Sequence, residues 1–249
     1  MSGHSKWHTI KHKKGAADAK RGKVFTRLIK ELTVAARAGG GDPGMNPRLR
    51  TIIAAAKEVN MPADNIKKAI LRGTGELPGV MYDEITYEAY GPGGSALIIE
   101  TLTDNKNRTV GELRHMLEKH SGNLGATNSV AWMFTKKGHV VVDKAVVDEE
   151  KLLNTSLEAG ADDMQDDGDH WGVLSEPSAF EAVRDAVKGL GIEPASAQVA
   201  MLPQTYVKLT GKDASQMIRL MDALDDHEDV KQVWSNFDIE EKEIEASLA

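Results

Sequence analysis

Residues 85–102 read ITYEAYGPGGSALIIETL, two apolar segments joined by a turn rich in glycine. The flanking segments, 85–89 and 96–102, contain the β-branched and aromatic residues that strands favour. The turn is Gly91, Pro92, Gly93 and Gly94, and its three glycines readily adopt positive φ. The pattern predicts a β-hairpin whose turn lets another backbone approach closely. A phosphate-binding loop is a weaker interpretation, because the turn lacks Gly-Lys-Ser/Thr and does not begin a helix.

The hairpin is the first part of a region in which strands and helices alternate up to about residue 240. Helical periodicity occurs at 109–120, 148–159, 177–190 and 213–224, and strand patterns occur at 130–134, 139–142, 172–175, 197–201, 206–209 and 230–234. Such alternation is typical of layered α+β domains of the ferredoxin-like type. We expect two of them and favour a nested arrangement, with residues 136–202 inserted between 81–135 and 203–249. A sequential arrangement stays open, because one sequence does not fix which strands pair.

The first 80 residues have helical rather than strand periodicity. Apolar residues recur at steps of three and four over 17–38, and glycines 39–41 end that helix. Asn46 is an expected N-cap followed by Pro47 at the first helical position. A third helix begins near Pro62 and ends at Gly73. We therefore predict a flexible basic arm (residues 1–16), a three-helix bundle (residues 17–80, the head) and an α+β body (residues 81–249).

Charge is distributed unevenly along the chain. Residues 1–80 carry a formal charge of +10 and the remainder carries −17, although the whole chain is only −7. A basic end joined to an acidic body favours a polyanion as partner of the basic end. The chain has no cysteine, which excludes disulfides, thiol nucleophiles and cysteine-ligated metals. It has neither a 20-residue apolar run nor a secretory signal, so we expect a cytoplasmic protein that binds no membrane.

The basic residues of the arm and first helix are the candidate nucleic-acid contacts. The first 30 positions contain nine basic residues and one acidic residue. Contacts between basic side chains and phosphates supply affinity without sequence information. The tryptophan of the arm adds an aromatic surface on which an unpaired base can stack. The predicted contacts are Lys6, Trp7, Lys11, His12, Lys13, Lys14, Lys20, Arg21, Lys23, Arg27 and Lys30. The alternative is a merely solubilising tail.

A second candidate is a pair of loops on the body that select the partner. One is the glycine turn of the hairpin, and the other joins a strand to the helix at 109–120. In the second loop, Asn107 or Thr109 can cap the helix, and Arg108 presents a planar fork suited to bidentate contact with an anion. Its predicted contact residues are Asn105, Asn107 and Arg108.

Motifs that would indicate catalysis or metal binding fail on inspection. His4, His8 and His12 share a helical spacing, but neighbouring lysines disfavour a dication. The acidic segment at 163–168 resembles a calcium loop, yet its twelfth position is Leu174 instead of glutamate. No GxSxG motif is present. We expect no catalytic residue, metal, cofactor or small-molecule substrate, and an enzyme with an unrecognised site is a remote alternative.

Several long motifs resemble those of the YebC family across the whole chain. They are GHSKW (3–7), IKHKK (10–14), DAKRGK (18–23), GGGDP (39–43), NPRLR (46–50), YEAYGPGG (87–94), TDNKNRT (103–109) and GNLG (122–125). The resemblance implies a helical head, two α+β domains and a regulatory role with no known enzyme activity. It implies a probable transcriptional regulatory protein that binds DNA. Mitochondrial relatives are translational activators, so a factor that binds the ribosome or its RNA and acts on elongation at proline-rich stretches is the alternative.

Overall fold

The structure, a computed structural model, describes residues 17–240 and 242–244, with side chains from residue 22 onward. These residues form a multidomain α+β fold, which confirms the expected class. The helices are α1 (Ala17–Gly39), α2 (Pro47–Glu58), α3 (Ala63–Gly73), α4 (Lys106–Lys119), α5 (Glu149–Glu158), α6 (Phe180–Gly189) and α7 (Gly211–Asp226). The strands are β1 (Asp83–Tyr90), β2 (Ala96–Thr103), β3 (Asn123–Leu124), β4 (Phe134–Asp143), β5 (Ala161–Asp166), β6 (His170–Ser175), β7 (Ser196–Pro203), β8 (Val207–Lys208), β9 (Val230–Ser235) and β10 (Phe237–Asp238). None of the described helices is long and apolar enough to cross a bilayer.

In the head, α1, α2 and α3 pack around a shared apolar core. Helix α2 begins where its capping residues predict, since the Asn46 side chain accepts a hydrogen bond from the Leu49 N–H at 3.0 Å. Helix α3 ends very close to α1, because a Cβ on Gly73 would lie 2.4 Å from the Thr33 carbonyl oxygen. The core residues are Leu28, Leu32, Ala35, Ala36, Leu49, Ile52, Ala56, Met61, Ile66 and Ala69.

The first sheet of the body is antiparallel, with strand order β3-β1-β2-β9. The predicted hairpin is confirmed: Tyr90 pairs with Ala96, and the turn contains Gly93 at φ 65° and Gly94 at φ 76°. Helices α4 and α7 cover one face of this sheet and share a core with it that includes Leu97, Ile99, Leu113, Leu117, Met217, Ile218, Leu220 and Phe237.

The second sheet is also antiparallel, with order β5-β6-β4-β7, and all its strands fall within residues 134–203. In the sequence these strands lie between β3 and β9 of the first sheet, so the two sheets are nested along the chain. Helices α5 and α6 lie on one face, over a core that includes Val140, Val142, Leu152, Val173, Val183 and Val187.

Several element predictions were wrong in ways that have physical reasons. A single strand, β4, replaces the strands predicted at 130–134 and 139–142, and a short 3-10 turn at Ala131–Met133 precedes it. The polar centre of β4 is stabilised by ion pairs from Lys137 to Asp162 and Glu176. Strand β5 was missed because it is an edge strand whose residues are half-buried or exposed, and so its only apolar residues are Ala161 and Met164.

Candidate nucleic-acid interface

The structure places only part of the predicted basic surface. Lys6, Trp7, Lys11, His12, Lys13 and Lys14 lie outside the described residues. Lys20 and Arg21 belong to α1, but their side chains also lie outside the description. Lys23, Arg27 and Lys30 can be placed in full, and all three point towards the body.

Lys30 is a correction to the predicted interface, because its side chain is buried. Lys30 is only 6% exposed, and its ammonium donates to the Asp229 carboxylate at 2.8 Å. The same ammonium donates to the carbonyl oxygens of Glu228 at 2.9 Å and Leu102 at 3.3 Å. A cation with three internal acceptors and very little solvent access does not bind a phosphate. Lys30 fastens the head to the body instead.

Lys23 and Arg27 lie on the same side of α1 as Lys30. The Lys23 ammonium lies 2.6 Å from the Asp226 carboxylate, and Arg27 donates to the carbonyl oxygen of Lys231 at 3.3 Å. Both partners belong to the body. The spacing of these residues, at i, i+4 and i+7, is the signal in the sequence that they share one helix face. Charge counting alone does not show whether such a face meets solvent or protein.

Asp229, which the sequence analysis did not single out, is the centre of this junction. It is 1% exposed and accepts hydrogen bonds from Lys30, Arg108 and Thr109 at 2.8, 2.7 and 2.8 Å, and from Thr103 at 3.1 Å. Burial by itself would raise the pKa of Asp229, but the hydrogen bonds from Lys30, Arg108 and Thr109 outweigh it and hold the pKa well below its usual range. The carboxylate is therefore charged and fully satisfied.

Arg108 was predicted to present a free guanidinium to a partner, but in the structure this group is paired within the chain. One of its terminal nitrogens donates to Asp229 at 2.7 Å and to Asp104 at 2.9 Å. The hydrogen bond to Asp229 is the main reason why the pKa of Arg108 is raised above its usual value. Part of its charge is thus neutralised within the fold, and its replacement should disturb the Asp229 junction.

The remaining loop residues have mainly structural roles. Asn105, not Asn107 or Thr109, caps α4, since its side chain accepts from the Arg108 N–H at 3.1 Å. The glycine turn is approached closely by the body itself, because a Cβ on Gly93 would lie 2.4 Å from Leu209 Cδ2. Among the loop residues predicted to contact a partner, Gly91 and Pro92 are buried and Arg108 is half-buried. The exposed ones are Gly93, Gly94, Asn105 and Asn107.

Comparison with known proteins agrees with the sequence motifs. Residues 5–76 match the TACO1/YebC protein N-terminal domain, and residues 82–237 match the TACO1/YebC second and third domain. The chain belongs to the TACO1/YebC family. Relatives from Acidobacterium capsulatum and Koribacter versatilis, both named as probable transcriptional regulatory proteins, are 63% and 59% identical, and each alignment covers 98% of both chains. A crystal structure of a conserved hypothetical protein from Aquifex aeolicus has a TM-score of 0.80 and 42% identity, and covers 90% of this chain and 93% of that one.

Three side chains of this family member come close enough together to suggest a metal site. Glu112, His227 and Asp229 each place one potential ligand atom within 4.8 Å of the others. However, the Asp229 N–H donates to His227 Nδ1 at 3.1 Å, so the neutral ring carries its proton on Nε2, 2.8 Å from Glu112 Oε2. A metal on Nε2 would move that proton to Nδ1, against the Asp229 N–H. The cluster therefore fits a hydrogen-bond network better than a metal centre.

The open face of the second sheet contains a polar cleft, which is a second candidate for a binding or catalytic site. Its lining includes Lys137, His139, Asp167 and Tyr206. Burial lowers the pKa of His139, so its ring is neutral near pH 7. Lys137 is held in ion pairs with Asp162 and Glu176. This cleft contains none of the residues predicted to bind nucleic acid, and it lies in the acidic body.

Proposed function

We propose that this member of the TACO1/YebC family is a cytoplasmic nucleic-acid-binding regulator of gene expression, acting on transcription by binding DNA. The observation that carries the proposal is the charge split, +10 over residues 1–80 against −17 over the rest. A polyanion is attracted to the first part and repelled by the second. The names of the relatives, probable transcriptional regulatory proteins, support transcription as the process.

In this proposal the domains have separate tasks. The arm supplies phosphate contacts through its lysines and a stacking surface through Trp7. The head acts as a three-helix bundle that positions the arm, and the two body domains, of the ferredoxin-like type, present an acidic surface away from the nucleic acid. Catalysis, a cofactor and a small-molecule substrate have no part in this function.

The test compares possible partners at one salt concentration. The full chain is mixed with duplex DNA from promoter regions, with ribosomal RNA fragments and with intact ribosomes, all at physiological salt. We expect tighter binding to the DNA than to the RNA or ribosomes, and crosslinking in cells should recover DNA. Co-sedimentation with ribosomes and recovery of ribosomal RNA would replace transcription with translation as the regulated process. An absence of binding to all three would refute the proposal.

A further inference from the structure

Ten basic residues lie between residues 22 and 80, and nine of them fall into two sets, of which the first faces the body. The tenth, Arg50, donates to the Pro43 carbonyl oxygen at 3.0 Å. Lys23 pairs with Asp226 and Lys30 with Asp229, while Arg27 donates to a body carbonyl. Two further members of this set, Arg37 and Arg48, contact β1 or the segment that precedes it. Arg37 donates to the Tyr82 carbonyl oxygen at 2.7 Å, and Arg48 lies 2.9 Å from the Glu84 carboxylate. These five cations already have partners within the chain.

The second set lies on α3 and on the end of α2. Its members are Lys57, Lys67, Lys68 and Arg72. Among the described residues, no carboxylate lies within ion-pair distance of any of them. The three lysines are exposed and Arg72 is half-buried. Because the first set turns α1 towards the body, the second set is the group of described head cations left to meet an external anion.

Helix α3 has a form suited to a groove. Ile66, Ala69 and Gly73 face the head core, so Lys67 and Lys68 lie towards solvent. Its 11 residues give a length of about 16 Å at 1.5 Å per residue. Only four residues, 59–62, connect it to α2, and Asn60 in that turn has a φ of 58°. Two short helices joined by a four-residue turn resemble the arrangement in which a second helix enters the major groove of DNA.

We propose that α3 and the turn before it form the surface by which the head contacts duplex DNA, with Lys67 and Lys68 on phosphates. This inference rests on the proposed function and names the described surface that performs it. Duplex DNA is favoured over duplex RNA because its major groove, about 12 Å wide, admits a helix, whereas the deep and narrow major groove of A-form RNA does not.

The experiment measures binding of the full chain to a 30-base-pair DNA duplex over a range of salt concentrations. The variant carries Lys67→Ala and Lys68→Ala. Alanine is the best helix former, so α3 should be retained, and circular dichroism checks this. Two lost phosphate contacts should lower the slope of log affinity against log salt by about 1.8, which corresponds to about 60-fold weaker binding at 0.1 M salt. Lys23→Ala, on the face turned to the body, should keep the wild-type slope.

The matched control carries Lys119→Ala and Lys151→Ala, which remove the same charge from exposed helical positions on the body. It should bind as the wild type does. A Lys67/Lys68 variant that keeps the slope of the wild type would overturn the inference while leaving the proposed function intact. An equal loss of binding to duplex RNA of the same sequence would overturn the assignment to a DNA groove. If the wild type binds no nucleic acid at all, the proposed function and this inference fail together.

Discussion

Replacing Lys30 by methionine tests whether the head is fastened to the body by a buried charge. Methionine keeps the unbranched apolar stem and removes the ammonium, which donates to Asp229, Glu228 and Leu102. Asp229, 1% exposed, would lose its ion pair with the head. Breaking a buried ion pair from one side costs about 3–5 kcal/mol. Because Arg108 and Thr109 still bind Asp229, we expect the lower end, about 3 kcal/mol.

Urea unfolding of the full chain, followed by circular dichroism, measures this change in the free energy of unfolding. The matched control is Lys23→Met, the same chemical change on the same helix in an ion pair whose side chains are 55% and 68% exposed. Exposed pairs contribute about 0–1 kcal/mol, so the control should stay close to the wild type. In thermal unfolding, the Lys30 variant should melt about 6–12 °C lower.

Combining Lys30→Met with Asp229→Asn provides a further check. If the two residues stabilise each other, the double variant should be less destabilised than the sum of the two single variants, by at least about 0.5 kcal/mol. A Lys30→Met variant as stable as Lys23→Met, or strictly additive effects in the double variant, would refute the assignment of this pair as the fastening between head and body.

Three other perturbations follow from described or predicted contacts. Gly93→Ala should lower the free energy of unfolding in urea by about 2–4 kcal/mol, because a φ of 65° is unfavourable for alanine and the new Cβ would lie 2.4 Å from Leu209. Gly94→Ala should cost only about 1–2 kcal/mol, because Gly94 has a φ of 76° but its Cβ would lie in open space. Because the pKa of Asp229 is lowered in the folded chain, the unfolded chain takes up this proton first as the pH falls below about 4. The free energy of unfolding of the wild type should therefore fall with pH there, and that of Asp229→Asn should fall less steeply. Equal slopes of unfolding free energy against pH in the two proteins would contradict this. Replacing Lys11, Lys13 and Lys14 by alanine should lower the salt slope of DNA binding by up to about 2.7, and an unchanged slope would remove the arm from the interface.

Local chemistry explains which parts of the fold could be predicted from the sequence. The Asn46 cap and the glycine turn were predictable because each acts within a few residues: Asn46 caps Leu49, and Gly93 and Gly94 adopt the positive φ that the turn requires. Strand β5 was not predictable, because an exposed edge strand imposes little apolar pattern on its sequence.

The candidate site was less predictable, because its charges are paired over long separations in sequence. Lys30 and Asp229 are 199 residues apart, and Arg108 and Asp229 are 121 residues apart. Composition shows that α1 is basic but not what its basic face touches. Once a helix packs through that face, its basic residues become structural. Among the described residues of the head, the cations that do not contact the body are those of α3 together with Arg50 and Lys57 of α2.

This pairing changes how the charge of the head should be interpreted. Residues 22–80 contain ten basic and five acidic side chains, and five of the basic ones contact the body. Glu31 pairs with Arg27, one of those five. The other five basic residues are nearly balanced by the remaining four acidic residues, so the outward surface of the head is close to neutral. Long-range attraction to a polyanion must then come from residues 1–21, which hold six basic residues and one acidic residue. Phosphate contacts of that kind are insensitive to sequence, so shortening the arm should weaken binding to all polyanions alike. A change on α3, where two lysines are adjacent on a rigid helix, should instead affect only a duplex whose groove the helix fits.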